Sequence, residues 1–195
     1  MSVTAFLDGL ATRERAPGGG SAAALTVAFA AGLVVMVARS SRGVWEDAPG
    51  VAAQALALQD RASALTHSDA EAWDEALAAL RAAADPSPAE GDRNGQRRDL
   101  ELEQKLERAA AVPLEIAEIG ADTALLAAQA GQHGDLAYRA DASAAAALAA
   151  GGARAAAHLV EVNLAIRVGD ERLARARASE TAAIEAAENL LASTR

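Results

Sequence analysis

The sequence predicts an all-α fold, an elongated antiparallel bundle of about five to six long helices around a buried central apolar helix. Hydrophobic residues make up 52% of the chain but aromatic residues only 3%, so the apolar side chains are mainly Ala, Leu and Val. Alanine is the strongest helix former, and small side chains suit closely packed helices better than sheets. Because 195 residues fit one domain, we expect residues 1–195 to form a single helical domain.

The central helix is predicted from the 17 uncharged residues between Ala22 and Ala38. A membrane span needs about 18 to 20 strongly apolar residues, and this run is shorter and rich in weakly hydrophobic alanine. Thr26 and Gly32 interrupt it, and arginines follow it at once. We therefore expect a buried core helix and no membrane association.

The other helices are predicted from apolar periodicity and from capping residues at their ends. We expect them at about residues 2–12, 51–84, 96–130, 136–168 and 170–191. Pro113 should kink the fourth of the six helices or split it near Ala110, because proline removes one helical hydrogen-bond donor. The segment 85–95, with two prolines and two glycines, is predicted to be a loop. The fifth helix is expected to bury the stripe Leu148, Gly152, Ala155, Leu159, Val162 and Ile166.

The charge and the cysteine content exclude several classes of protein. A formal net charge of −9 repels a phosphate backbone, so we expect no nucleic-acid partner. The absence of cysteine excludes disulfides, a thiolate nucleophile and cysteine-based zinc sites. Together with the lack of a signal-peptide pattern, it predicts a cytoplasmic protein. The three histidines are isolated from one another, so we expect no metal centre and no prosthetic group.

The segment Pro17-Gly18-Gly19-Gly20-Ser21 leads into the central helix. Such a run has two explanations, a helix-breaking turn or a place where the backbone approaches a ligand closely. Ser21 stands where it could cap the central helix, and the free amides there would attract an anion. The segment is not a phosphate-binding loop, because no Gly-Lys-Ser/Thr follows, and no strand precedes it as in a dinucleotide site.

Asp69 is the candidate acid or base. It lies at the centre of an apolar stripe on the third helix, where loss of solvent should raise its pKa into the range useful for proton transfer. The alternative is a structural aspartate that an arginine or a backbone amide satisfies. Asp141 extends the stripe of the fifth helix but could instead cap that helix. Lys105 is the only lysine, so an anion clamp would use arginines such as Arg39 or Arg42.

The order of these motifs resembles the formimidoyltetrahydrofolate cyclodeaminase/cyclohydrolase family. Five segments carry the resemblance: Ala-Pro-Gly-Gly-Gly-Ser at 16–21, Asp-Ala-Glu-Ala-Trp at 69–73, Arg-Arg at 97–98, Val-Pro-Leu at 112–114 and Val-Asn-Leu at 162–164. The resemblance extends over about residues 4 to 168. This chain departs from the family pattern after Ala38, where the family usually has several lysines and this chain has the segment Arg39 to Trp45. An asparagine typical of the family is replaced by Leu159.

The resemblance implies a homodimer that binds a tetrahydrofolate derivative near the glycine segment and the subunit interface. It implies cyclodeamination of 5-formimidoyltetrahydrofolate with release of ammonia, or alternatively hydrolysis of 5,10-methenyltetrahydrofolate, with Asp69 as general acid and base. The substrate-binding residues it implies are Pro17, Gly18, Gly19, Gly20, Ser21, Arg39, Arg42, Asp141 and Asn163. A different class, a non-catalytic helical ligand-binding or scaffold protein, would keep the fold and lose the reaction.

Overall fold

Six α-helices and one short 3-10 helix make up the regular structure of the described residues, which are 2–12, 17–84, 92–164 and 170–193 of a computed structural model. The α-helices are α1 (Val3–Leu10), α2 (Gly19–Ser40), α3 (Ala48–Ala84), α4 (Asp92–His133), α5 (Arg139–Asn163) and α6 (Glu171–Ala192), and the 3-10 helix is Leu136–Tyr138. The predicted all-α fold is confirmed.

The central helix predicted from the uncharged run is α2. It packs between α3 and α5 and also contacts α4, while α6 packs on α4 and α5. Val27, Val34, Val37 and Ala38 of α2 have no exposed surface. Because uncharged residues cover almost the whole circumference of α2, this helix can be surrounded on several sides without burying a charge. The prediction of a buried central helix is confirmed.

Among the described residues, α2 alone is long and apolar enough to cross a membrane, and 61% of its most apolar window is buried inside the bundle. A core helix of a soluble bundle has the same length and composition.

Small residues set the distances between the helices. A side chain on Gly152 of α5 would lie 2.6 Å from Val27 Cγ2 of α2, and one on Gly120 of α4 would lie 2.9 Å from Ala153 Cβ of α5. The predicted apolar stripe of α5 is wrong in part, as the exposure of its side chains shows. Leu148, Ala155 and Val162 are exposed and Leu159 is partly buried. The buried residues of α5 are Ala142, Ser143, Ala145, Ala146, Ala149, Ala150, Gly152, Ala153, Ala156, Ala157 and Val160. Larger side chains would not fit where α2, α4 and α5 approach one another.

Helix ends differ from prediction where a local signal competes with packing. α3 begins at Ala48 and includes Pro49, because the first turn of a helix does not need the missing proline N–H. α4 is continuous through the buried Pro113, so of the two predicted outcomes, a kink or a split, the split does not occur. Contacts with α3, α5 and α6 stabilise this helix.

The starts of α4, α5 and α6 also differ from prediction or are marked by acidic residues. α4 begins at Asp92, so residues 92–95 belong to a helix and not to the predicted loop, while residues 85–91 lie outside the described residues. Asp135 caps the 3-10 helix, and α5 begins only at Arg139. Residues 165–169, which include Ile166 of the predicted stripe, lie outside the described residues. Asp170 caps α6 and accepts a 2.9 Å hydrogen bond from the Arg172 amide.

The adjacent pair Gly151 and Gly152 gives a matched test of this close packing. We expect Gly152→Ala to lower the free energy of unfolding by about 1 to 3 kcal/mol, because its methyl group would enter the contact with Val27. Gly151→Ala should instead raise stability by about 0.5 to 1 kcal/mol, because Gly151 faces open space on the same helix. Urea denaturation of the two variants checks both signs, and equal effects would contradict the proposed packing.

Candidate functional site

A cavity of about 420 Å³ lies at the N-terminal end of α2. It is lined by Pro17, Gly18, Gly19, Gly20, Asp69, Ala70, Trp73, Ala109, Leu159, Val162 and Asn163. These residues come from the glycine segment, the middle of α3, α4 and the C-terminal end of α5. A mostly apolar cavity of this size with a few polar groups is typical of a small-molecule site.

Asp69 is joined to the start of α2 through Ser21. Ser21 is fully buried, and its Oγ donates a 3.3 Å hydrogen bond to Asp69 Oδ2. The backbone of Ser21 also lies close enough to this carboxyl group to lower its pKa. The carboxyl group of Asp69 thus lies beside the first turn of α2, where backbone N–H groups have no partner within the helix.

Ser21 does not cap α2 as predicted. The N-cap is Gly18, and it has no side-chain hydrogen bond to the helix. Ser21 is the third residue of α2, is fully buried and bonds Asp69, and it is not among the residues that line the cavity. Its role as a substrate ligand therefore stays a prediction, while its contact with Asp69 is observed.

Gly20 is required by the position of the carboxyl group. A Cβ added to Gly20 would overlap Oδ1, Oδ2 and Cγ of Asp69. Gly20 is the second residue of α2, so the reason for glycine here is space and not an unusual backbone conformation. Neither of the two explanations for the glycine run accounts for Gly20, because the group that approaches its backbone is the Asp69 side chain of the protein itself.

Burial raises the pKa of Asp69, and the side chain and backbone of Ser21 partly oppose that effect. No lysine or arginine is among the described residues that line the cavity. A half-buried carboxyl group with a raised pKa can both accept and return a proton near neutral pH. The arrangement is suited to general acid–base chemistry on a bound ligand.

Asn163 and Trp73 also line the cavity. Asn163 is the last residue of α5, and its Nδ2 donates a 2.7 Å hydrogen bond to the Ala109 carbonyl of α4, which fixes the orientation of its amide. Trp73, 44% exposed, was not among the predicted site residues. Its spacing of four residues from Asp69 on one helix was the signal that could have found it.

The structure does not bring Arg39, Arg42 or Asp141 to this cavity within one copy of the chain. Arg39 lies 20 residues beyond Gly19 on α2, a distance of roughly 30 Å along the helix. Asp141 lies in the first turn of α5 and Asn163 is its last residue, roughly 33 Å away. The carboxylate of Asp141 instead lies where it is favoured by the dipole of α5.

Ser21→Ala provides a test of how Asp69 is tuned. Removing the hydroxyl removes a hydrogen bond that lowers the pKa of Asp69, so the pKa should rise further. In an NMR titration of the Asp69 carboxyl carbon, the midpoint should move to higher pH in the variant. Ser63→Ala is the control, because Ser63 is exposed on the same helix and bonds only the Gln59 carbonyl. An unchanged midpoint in Ser21→Ala would contradict the assignment.

Comparison with known proteins shows which proteins the chain resembles. A sequence model of the family described as formiminotransferase-cyclodeaminase matches residues 2–183. The chain is 31% identical over 168 residues to a Methylorubrum extorquens protein named methenyltetrahydrofolate cyclohydrolase, covering 83% of this chain and 78% of that protein. The crystal structure of formiminotetrahydrofolate cyclodeaminase from Thermotoga maritima superimposes with a TM-score of 0.80 at 21% identity, covering 100% of this chain and 97% of that one. The last similarity shows the shared fold.

Proposed function

Because this chain belongs to the formiminotransferase-cyclodeaminase family, we propose that it hydrolyses 5,10-methenyltetrahydrofolate to 10-formyltetrahydrofolate. The observation that carries the proposal is the half-buried Asp69, held by Ser21 and Gly20 at the wall of the cavity. The relative named for this reaction is 31% identical over most of both chains. We therefore place hydrolysis ahead of the cyclodeamination that the motifs first suggested.

The charged groups that line the cavity favour a substrate with a cationic one-carbon unit. The methenyl bridge carries a positive charge shared by two nitrogens, and the cavity offers one carboxyl group and, among its described lining residues, no cationic side chain. The exposed indole of Trp73 offers a ring face on which a planar cationic ring system could stack, an interaction worth about 0.5 to 2 kcal/mol. Both features favour binding of the methenyl form.

In the reaction we propose, Asp69 first acts as a base. It takes a proton from water as the water oxygen bonds to the methenyl carbon, which gives a neutral tetrahedral adduct. The protonated Asp69 then delivers this proton to N5 as the carbon–N5 bond breaks and N5 takes the electron pair. Formation of the formyl C=O releases the hydroxyl proton to solvent, so one proton is produced per turnover. General acid–base catalysis of this kind contributes about 10²- to 10⁴-fold to a rate.

Cyclodeamination of 5-formimidoyltetrahydrofolate is the second candidate, supported by the fold shared with the Thermotoga protein of that name. Here N10 bonds to the formimidoyl carbon and loses its proton, and the imino nitrogen gains protons and leaves as ammonia. Asp69 would supply a proton to the departing nitrogen and accept the one from N10. The same carboxyl group and the same cavity serve both reactions, because both pass through a tetrahedral carbon between two nitrogens.

The test follows the methenyl absorbance with each substrate separately. Hydrolysis would remove the absorbance of 5,10-methenyltetrahydrofolate faster than buffer does, whereas cyclodeamination would create that absorbance from 5-formimidoyltetrahydrofolate. We expect the first rate to exceed the second. Binding of both folates without turnover would support the non-catalytic alternative, and turnover of the formimidoyl substrate alone would reverse the order of the two candidates.

We propose further that the reaction takes place in the cytoplasm and needs no prosthetic group. These proposals rest on the absence of cysteine and on histidines that are isolated in sequence.

A further inference from the structure

The cavity has an apolar side chain next to its candidate acid or base. Leu159 of α5 lines the cavity, and its Cδ1 lies 3.9 Å from the position that a Cβ on Gly19 would take. The Cβ position of the next residue, Gly20, is occupied by the carboxyl group of Asp69. Leu159 and the Asp69 carboxyl group therefore flank the same helical turn, the first turn of α2.

Two residues of α5 contribute apolar side chains to the cavity, and water reaches them to different extents. Leu159 is partly buried, whereas Val162 is 56% exposed. A polar ligand group beside Val162 can still bond to water. A polar group beside Leu159 has lost more of its contact with water and depends more on a partner from the protein.

Hydrogen-bond acceptors are few among the described residues that line the cavity. Only Asp69 and Asn163 have side chains that can accept a hydrogen bond, because the indole of Trp73 can only donate. The side chains that surround a ligand there are otherwise apolar. The carboxyl group of Asp69 is therefore the principal acceptor for any N–H group of the ligand.

The backbone near Leu159 does not replace the missing side-chain acceptors. Gly19, which Leu159 approaches, lies in the first turn of α2, where the groups left without a helical partner are N–H donors. The carbonyl group of Gly18 already accepts a 3.0 Å hydrogen bond from the Ala22 amide. The surroundings of Leu159 therefore offer donors and methyl groups to a ligand.

The two candidate substrates differ in what their one-carbon units can donate. The terminal nitrogen of the formimidoyl group carries N–H groups, and N10 of the same substrate carries another. In the methenyl form, N5 and N10 are both bonded to the one-carbon unit within a ring, and neither carries a hydrogen. A buried N–H without an acceptor loses its hydrogen bond to water, whereas a C–H group has no such bond to lose.

We propose that Leu159 is a specificity-determining residue, which selects the methenyl over the formimidoyl form because it leaves the cavity beside the first turn of α2 without an acceptor for N–H groups. The inference rests on the proposed function and gives a structural cause for the order of the two reactions. Selection of this kind acts against the competing substrate, since Leu159 makes no polar contact with either one. One buried N–H left unpaired corresponds to a discrimination of about 10- to 100-fold.

Leu159→Asn tests this role, because it adds an amide oxygen in a side chain of similar size. We compare kcat/KM for 5-formimidoyltetrahydrofolate with kcat/KM for 5,10-methenyltetrahydrofolate, and we expect the first divided by the second to rise about 10- to 100-fold in the variant. Leu159→Met keeps the apolar surface and should leave this ratio near the wild-type value. An unchanged ratio in Leu159→Asn would overturn the proposal.

Val162→Asn is the matched control on the same helix and in the same cavity. It adds the same amide at the exposed position, where water already serves as a partner, so the ratio of the two kcat/KM values should stay near that of the wild type even if both values change. A rise equal to that of Leu159→Asn would show that any amide in the cavity has this effect and would remove Leu159 as the determinant.

Equilibrium binding gives a second measurement that needs no turnover. In the Asp69→Asn background, adding Leu159→Asn should shift the ratio of the dissociation constants of the two folates in favour of the formimidoyl form. Leu159→Gln, with the amide on a longer side chain, takes the place of Leu159→Asn if the latter does not fold. A binding ratio that stays the same in the folded amide variant would contradict the role of Leu159.

The kinetic and binding measurements separate the possible failures. If the wild type turns over neither folate, the proposed function fails, and the binding ratio still decides the role of Leu159. If the wild type hydrolyses the methenyl form but Leu159→Asn changes neither ratio, the inference about Leu159 fails and the proposed function stands.

Discussion

Asp69→Asn is expected to bind folate substrate and to turn it over about 10²- to 10⁴-fold more slowly than the wild type. The reason is that an amide cannot accept and return a proton near neutral pH. The asparagine side chain has nearly the same shape as the aspartate, and its oxygen can still accept a hydrogen bond from Ser21. The loss should therefore appear in kcat, with little change in substrate affinity. Rate and binding measured on the same preparation separate the two quantities.

The direction of the stability change in Asp69→Asn follows from the raised pKa of Asp69. Burial raises the pKa of Asp69 in the folded protein, so its contribution to stability is present below the unfolded pKa and is lost as pH rises through the folded pKa. At pH 7 the amide should therefore unfold at a temperature no lower than that of the wild type. Asp60→Asn, an exposed position on the same helix, is the control that should leave the rate unchanged. An unfolded Asp69→Asn variant would assign Asp69 a structural role.

Gly20→Ala is expected to have an effect on turnover of similar size, by a different route. The new methyl group would overlap the Asp69 carboxyl group, so either the carboxyl or the first turn of α2 must move. A displacement of about 1 Å at a reacting group can lower a rate by roughly 10²-fold. The titration of Asp69 should also change, because its hydrogen bond to Ser21 depends on this contact.

The matched control for Gly20→Ala is Gly50→Ala. Gly50 lies in the first turn of α3, has open space around its Cα, and is far from the cavity lining. Alanine there should leave the rate unchanged and raise stability slightly, since alanine is a better helix former. Full activity of Gly20→Ala with an unchanged Asp69 titration would show that the tight contact has no functional consequence.

The sequence predicted the fold because the physical signal was strong and local. An uncharged, alanine-rich run at residues 22–38 has few alternatives to a buried helix in a chain of this size. Asp69 could be found for a related reason, since a carboxyl group on an apolar stripe stands out at helical spacing. The structure places it at a cavity wall and half-buried.

Other features could not be predicted because they depend on which helices meet. The contact between Gly20 and Asp69 joins positions 49 residues apart, and no spacing rule shows it. The burial of alanines on α5 follows from its close approach to α2, whereas periodicity favoured the larger Leu148. Arg39 was assigned to the site from its place in a motif, although α2 carries it to the far end of the bundle.

The most direct test of the catalytic role of Asp69 is the initial rate of loss of methenyl absorbance at saturating 5,10-methenyltetrahydrofolate, compared between wild type and Asp69→Asn. We predict rapid hydrolysis by the wild type, and a rate about 10²- to 10⁴-fold lower for a variant that still binds the substrate. Equal rates for the two proteins would contradict the assignment of Asp69 as the group that transfers the proton.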